Sequence, residues 1–567
     1  MSVLTRITGT LAEARPLRDA ALYELVRVGA RGLLGEIIRF RGDTATLQIY
    51  EDTTGLTVGA PVTPTGASLA ATLGPGLLGS VLDGVGRPLA QLPGDFIAAG
   101  ATAPTLDPDR RWTFTPSRAR GDRVEPGDVV GTVREHARFE HRVLVPPGVR
   151  GTIASIDPGD AKIDDPIAIL EDGTAITLAQ RWPIRTPRPV AARLRADRPL
   201  VTGQRILDFL FPLAEGGTIA VPGGFGTGKT VVEHALAKFA DADVVVFVGC
   251  GERGNEMAEV LDEFPKLVDP VTGRSVMERT VLVVNTSNMP VVAREASVYL
   301  GVTIAEYYRD MGYRALVLVD SLSRWAEALR DIAARLQEMP GEEGYPTSMA
   351  SRLGAFYERA GRARTLCGRE GAVTLACAIS PPGGDFSEPV TQASLRVAGG
   401  VWALDAQLAR ARQFPAVDWG TSYSLYADAL APALAAATDA RWPQLRARVI
   451  ALLQRDAELR EIASLLGADE MEPADRLVLA IASLVREHLL GQNAFDPNDA
   501  TSPLAKTATM AALAIDAHDA FARALQAGDH ELEELPIDRF RAAFAAVRRA
   551  APADVETRAR AAREILP

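Results

Sequence analysis

Apolar and polar residues alternate at every second position in short segments near the start of the chain, as at residues 34–40 and 45–50, with Gly and Asp turns between them. Alternation of this period marks strands that bury one face, and it predicts a small antiparallel β-barrel over residues 1–68. From 110 to 190, Gly and Pro punctuation is dense around short apolar segments such as 152–156. That pattern predicts a second, separate β-rich module. Between 191 and 425 the alternation gives way to continuous apolar runs rich in β-branched residues, at 244–248, 281–284 and 315–319, set between helical stretches. Runs of this kind belong to strands covered on both faces by helices, so an α/β domain with a parallel sheet is predicted over 191–425. Beyond 426, Ala, Leu, Arg and Glu dominate, and Ile537, Phe540, Phe544 and Val547 share one helical face. The prediction over 426–567 is a helical domain whose apolar stripes pack its core or a neighbouring protein chain. The chain is therefore read as a multidomain fold of β-barrel, β-rich insertion, α/β domain and helical C-terminal domain.

Length agrees with several domains, because 567 residues exceed what one hydrophobic core organises. With 47% hydrophobic and 23% charged residues the composition is that of an ordinary globular protein. A formal charge of −11 argues against a chain whose main task is to neutralise nucleic-acid phosphates, so no nucleic-acid partner is expected. The three cysteines, Cys250, Cys367 and Cys377, form no metal-ligand spacing and no disulfide framework. The longest apolar stretch of note, 477–485, is bounded by Arg476 and Arg486 and is too short to span a bilayer. A role at a membrane would be served from the water side, through partners.

The sharpest chemical signal is Gly223-Gly224-Phe225-Gly226-Thr227-Gly228-Lys229-Thr230, followed by Val231. It matches the phosphate-binding loop at every fixed position, and it sits between a short apolar run at 218–221 and a helical stretch from 231 to 239. Glycines let the backbone wrap phosphate oxygens with its N–H groups, Lys229 adds charge towards the outer phosphates, and the Thr230 hydroxyl suits Mg²⁺. A second acidic group is needed for that ion, and Asp320 ends the apolar run 315–319, where it would act through a metal-bound water. Taken alone, an Asp after a strand is more often a turn residue or helix cap. Hydrolysis also needs a group that orients water, and Glu252 follows the run 244–248 at a distance of one helix plus one strand from Lys229. The competing reading of Glu252 is a favourable acid at the start of a helix. Other hydrolytic motifs, such as HExxH, CxxC and G-x-S-x-G, do not occur.

Two long runs carry a resemblance: Gly249-Cys250-Gly251-Glu252-Arg253-Gly254-Asn255-Glu256-Met257, and Ser380-Pro381-Pro382-Gly383-Gly384-Asp385-Phe386-Ser387-Glu388-Pro389-Val390-Thr391. Shorter runs add to them: Asn285-Thr286-Ser287-Asn288-Met289-Pro290, Ser323-Arg324-Trp325-Ala326-Glu327-Ala328, Glu343-Gly344-Tyr345-Pro346 and Phe356-Tyr357-Glu358-Arg359-Ala360-Gly361. Together they make the chain similar over nearly its whole length to the catalytic A-type chain of prokaryotic V/A-type rotary ATPases. The resemblance implies that 110–190 is the family's bulge insertion. It implies three copies alternating with three B subunits around a central shaft, with peripheral stalks and an ion-translocating membrane rotor, on the cytoplasmic face of the membrane. ATP or ADP with Mg²⁺ would be the ligand, Glu252 would position the water, Arg253 would lie near the γ-phosphate, and the B subunit would supply an arginine finger. Phe414, Gln492 and Phe495 would form the adenine pocket. The chain departs from the family pattern at Thr227, where eukaryotic relatives have Cys, and at Leu322, Gln413 and Gly491, none of which is a phosphate, metal or water-positioning residue. Other hexameric ATPases, among them the F-type β subunit, type III secretion ATPases and Rho, are the rival families. A non-catalytic scaffold like the B subunit is disfavoured by the presence of Lys229, Thr230, Glu252 and Asp320 together.

Overall fold

Six strands close the N-terminal barrel in the computed structural model: β1 (Ser2–Thr8), β2 (Leu11–Arg15), β3 (Glu24–Val28), β4 (Leu33–Arg41), β5 (Thr44–Ile49) and β6 (Pro61–Ser68). The order is β1-β2-β5-β4-β3-β6, and β6 pairs antiparallel with β1 to complete the ring. Closure leaves no free sheet edge. The alternation read from the sequence points Val26, Val28, Leu33, Ile37, Ala45, Leu47 and Ile49 into one sealed core. The structure describes residues 2–567 with the exception of 93, 95, 96, 137, 138, 271, 468, 469 and 529.

The described chain forms two compact units, one of Met1–Arg195, Ala242–Ser380 and Ser387–Val397, the other of Ala196–Asp241, Pro381–Phe386 and Ala398–Pro567. In the first unit, the β-rich insertion consists of two four-stranded antiparallel sheets. One contains Gly151–Ile156 paired with Ala168–Leu170, the other Trp112–Pro116 between Val129–Arg134 and Gly159–Ala161. Trp112, Phe114, Val130, Val133, Val143 and Ile153 are buried among them. The same unit holds five parallel strands, in the order Glu370–Ile379, Arg314–Asp320, Val244–Cys250, Thr280–Asn285 and Val81–Asp83. Every residue of Val244–Cys250 is buried, as a strand covered on both faces requires. The three-residue strand Val81–Asp83 comes from a stretch between the barrel and the β-rich insertion that the sequence pattern assigns to neither.

Helix Val291–Asp310 lies on this sheet and is buried along almost its full length. It approaches closely because Gly301 has no side chain: an added Cβ would sit 2.4 Å from Val248 Cγ2. Gly301→Ala is therefore expected to lower the unfolding free energy by about 1–3 kcal/mol through overpacking. A denaturation midpoint unchanged from wild type would refute that.

The second unit carries strand Thr218–Pro222, which pairs parallel with Gly400–Val401, and six longer helices from Ala427–Ala437 to Val555–Arg563. Phe540, Phe544 and Val547 on helix Ile537–Arg548 are fully buried, and Phe540 meets Phe521 of helix Leu504–Ala527 edge-on at 5.9 Å. The stripe read from the sequence thus packs the helical core. No helix among the described residues is long and apolar enough to cross a membrane.

Candidate nucleotide site

The predicted residues divide between the two units. The phosphate loop, Phe414, Gln492 and Phe495 belong to one; Glu252, Arg253 and Asp320 belong to the other.

In the loop-bearing unit, the buried strand Thr218–Pro222 feeds residues 223–228, and helix Lys229–Phe239 begins at once. The turn depends on positive backbone φ at Gly226 (75°) and Gly228 (86°), a region costly for residues with a Cβ. Lys229 Nζ donates to the carbonyls of Gly223 at 2.7 Å and Gly224 at 2.9 Å, and Thr227 Oγ1 donates to Gly224 O at 2.9 Å. The lysine therefore lies across the loop whose N–H groups and helix N-terminus form the anion-binding face. Thr230 is half-buried in the first helical turn, while Phe225 and Val231 are exposed.

A ladder of backbone hydrogen bonds runs from this strand to the aromatic pair. Leu404 N donates to Pro222 O, Asp405 N to Ala416 O, and Gln492 N to Phe414 O at 2.7 Å. Phe414 is half-buried, whereas Phe495 is 97% exposed on a loop held by its own N–H on Asn493 Oδ1. The Gln492 side chain is buried and engaged: its Oε1 accepts from Arg205 N, and its Nε2 donates to Gly203 O and Asp499 O. Beneath it, Arg205 and Asp499 form an ion pair of 2.7 Å between two fully buried side chains. Gly384 lies against the phosphate loop, its Cα 3.7 Å from where a Cβ on Gly224 would stand. Residues 381–386 therefore flank the loop; their Pro-Pro-Gly-Gly run is visible in the sequence, but nothing local says what it touches.

In the other unit, the parallel register sets Gly249 opposite Asp320 and Cys250 opposite Asn285, so the carboxyl ends of three strands form one edge. Ligands of open α/β sheets gather at such edges. Glu252 stands just beyond Val244–Cys250, is 9% exposed, and has one buried carboxylate oxygen with no hydrogen-bond partner. Burial first, then the charge of Asp320, pushes its carboxyl up to about 7, against the pull of the Ser321 hydroxyl and Arg324. Asp320 is buried at the end of Arg314–Asp320. Arg253, directly before helix Gly254–Glu263, is exposed.

Two arginines that the sequence does not single out as site residues crowd this turn. A Cβ on Gly251 would meet Arg324 Cβ at 2.6 Å and Arg294 Cδ at 2.8 Å. Arg294 is buried, donates to Ser287 O at 2.9 Å, and has an Nε without a hydrogen-bond partner. Each comes from a different helix, so only the tertiary structure brings them to Glu252. One signal is available: Arg324 lies in the run Ser323-Arg324-Trp325-Ala326-Glu327-Ala328, which carries part of the family resemblance without marking the arginine as part of a site.

A phosphate loop opening a helix, with acidic groups at the carboxyl edge of a parallel sheet, defines the class of P-loop ATPases. Family models agree: ATP synthase alpha/beta family, nucleotide-binding domain, matches residues 203–424, the alpha/beta subunit barrel-sandwich domain 103–185, the beta-barrel domain 4–66, and the C-terminal domain of V and A type ATP synthase 433–530. The V-type ATP synthase alpha chain of Anaeromyxobacter dehalogenans (strain 2CP-1 / ATCC BAA-258) is 56% identical over 528 residues, 93% of this chain and 91% of its own length. The V-type ATP synthase alpha chain 1 of Clostridium tetani is 50% identical over 544 residues, 94% of this chain and 92% of its own. The corresponding catalytic chain of the A-type ATP synthase of Methanoculleus marisnigri is 53% identical over 508 residues, 89% of this chain and 87% of its own. The chain belongs to the family of V/A-type ATP synthase alpha chains, the catalytic subunits of rotary, ion-coupled ATP synthesis and hydrolysis. Among solved structures, the assembled ATPase EscN of the enteropathogenic E. coli type III secretion system superposes with a TM-score of 0.66 over 91% of this chain and all of its own; at 22% identity, that likeness concerns the fold alone.

Proposed function

We propose that residues 223–231 hold the phosphates of ATP or ADP, and that Glu252 orients the water that attacks the γ-phosphorus. The observation that carries this is the Glu252 carboxylate: buried, with one oxygen unpartnered and a proton affinity set near neutrality. A carboxylate in that condition accepts a hydrogen bond from water and takes its proton as the bond to phosphorus forms, the general-base role. Lys229 and the loop N–H groups stabilise charge on the phosphate oxygens, Arg253, Arg294 and Arg324 supply further positive charge, and Phe414 and Phe495 stack on the adenine. Gln492 contributes by fixing the Phe495 loop.

Mg²⁺ fits the oxygen donors available, the Thr230 hydroxyl and, through water, Asp320. Among the described residues no cluster of three or more His, Cys, Asp or Glu could cage a metal; a Mg²⁺ site of this kind draws its remaining oxygens from phosphates and water. When bound, the ion supplies neutralisation of charge on the β- and γ-phosphates.

The assembly we propose is a ring in which this chain, divided as 1–68, 110–190, 191–425 and 426–567, alternates with B subunits that contribute an arginine finger. The ring surrounds a central shaft, is braced by peripheral stalks, and sits at the inner face of the cell membrane through the ion rotor. The relatives' names, each that of one chain of an ATP synthase, support it. Two measurements on the reconstituted assembly test the reading. Hydrolysis that persists once the Glu252 carboxylate is neutralised would leave the chain a nucleotide binder without its water-positioning group. Phe495→Ala is expected to weaken nucleotide binding by about 1–3 kcal/mol, read as a KM about 5- to 150-fold higher with kcat little changed; an unchanged KM would remove Phe495 from the base site.

A further inference from the structure

A cavity of about 640 Å³ opens in the first unit between barrel strand β4, residues 183–186 and helices Val291–Asp310 and Leu322–Arg335. Its walls include Glu36, Arg185, Glu295, Arg352, Tyr23 and Tyr299. None of these belongs to the nucleotide site described above.

The polar groups on these walls are unevenly matched. Arg185 is shared by two carboxylates, donating through Nη1 to Glu36 Oε1 at 2.7 Å and through Nη2 to Glu295 Oε2 at 2.6 Å. The second oxygen of Glu36 accepts from Tyr50 Oη at 3.1 Å. The second oxygen of Glu295 has no hydrogen-bond partner, although the residue is only 3% exposed. The nearest cation to it, Arg352 Nη1, stands 4.0 Å away, beyond hydrogen-bond reach. Glu338 adds a third carboxylate to the lining, so three acids face two arginines. Burial and the neighbouring Glu295 lift the Glu36 carboxyl to about 7 against the pull of Arg185, another sign that negative charge is in excess.

A buried carboxylate oxygen without a donor, in a cavity of this size, is complementary to a cation that carries N–H groups. A bare metal ion does not suit the walls, because among the described residues no three His, Cys, Asp or Glu side chains gather to hold one. The aromatic rings favour an organic cation: Tyr23 and Tyr299 already flank a positive group, with the Arg185 guanidinium carbon 5.7 and 5.9 Å from their ring centres. The volume falls within the roughly 300–1,000 Å³ of small-molecule sites.

We propose that this cavity binds a small aliphatic ammonium ion, of the diamine or triamine class, with an N–H on the free oxygen of Glu295 and its carbon chain along Tyr23 and Tyr299. Calorimetric titration of the nucleotide-free full chain with spermidine, in salt high enough to screen its surface charge, tests it. One site per chain is expected, with a Kd of about 10–100 µM. Glu295→Gln keeps the shape and removes the charge, and weakens binding at least about tenfold, the loss of one charge-assisted hydrogen bond. Tyr23→Ser, at a residue 43% exposed and outside the core, weakens it several-fold without endangering the fold. Should Glu295→Gln not fold, the wild-type titration and Tyr23→Ser still decide. Absence of saturable binding, binding at many equivalent sites, or equal affinity in a folded Glu295→Gln chain overturns the proposal.

Discussion

Glu252→Gln, in the chain assembled with its partner subunits, is expected to lower kcat for ATP hydrolysis by about two orders of magnitude or more while nucleotide still binds. The substitution keeps the side-chain volume, so the turn between Val244–Cys250 and Gly254–Glu263 is preserved. What it removes is the acceptor that takes a proton from the attacking water. The phosphate loop is untouched, and binding should persist within a few-fold. A pH profile adds a second readout. The Glu252 carboxyl is raised to about 7, first by burial and then by Asp320, and only its ionised form can act as base. Activity should therefore be full above that value and fall as pH drops through it, with the acid limb of kcat/KM reporting the free enzyme. In the Gln variant that limb should vanish from the residual rate. Turnover within about threefold of wild type would assign the water to another group.

The second large effect is on stability. Arg205→Met is expected to cost about 3–5 kcal/mol, because it strands a buried partner. Arg205 and Asp499 are both fully buried. The guanidinium also donates to the carbonyls of Leu489 at 2.8 Å and Gly491 at 2.7 Å, while the other Asp499 oxygen accepts from Asn493 N at 2.7 Å. One side chain thus ties the helix Arg205–Leu210, just ahead of the phosphate-loop strand, to the loop that carries Phe495. Its loss should lower the denaturation midpoint sharply and raise KM, leaving kcat in the folded fraction nearly unchanged. Arg205→Met combined with Asp499→Asn should recover part of the stability, since the stranded charge is then gone. A double variant no more stable than the single one would mean that the lost carbonyl contacts, not the stranded charge, set the cost.

Much of the architecture is legible in the sequence because it is written in local periodicity. Alternation over 34–50 announces barrel strands; the unbroken runs at 244–248, 281–284 and 315–319 announce buried parallel ones; the Phe540, Phe544 and Val547 stripe announces a packed helix. Val81–Asp83 is not legible, because three residues cannot display a period and the strand exists only by pairing with Thr280–Asn285. The candidate site follows the same rule. The phosphate loop is contiguous, so its residue types and their order state the chemistry outright. Gln492 is expected at the base from resemblance, and the structure adds that its amide is already bonded to Arg205, Gly203 and Asp499.

The sequence by itself determined that this chain carries a strand, a glycine-rich turn with lysine and threonine, and acids placed after apolar strands, because each depends on neighbours a few positions away. Tertiary structure alone decided that Arg294 and Arg324 crowd the Glu252 turn, that Glu252 is buried beside Asp320 with its proton affinity raised, and that Glu295 keeps an unpaired oxygen at the wall of a cavity. The physical reason is that desolvation and charge–charge interaction depend on what surrounds a group in space. Residues far apart in the chain supply those surroundings, and no local pattern records which of them will meet.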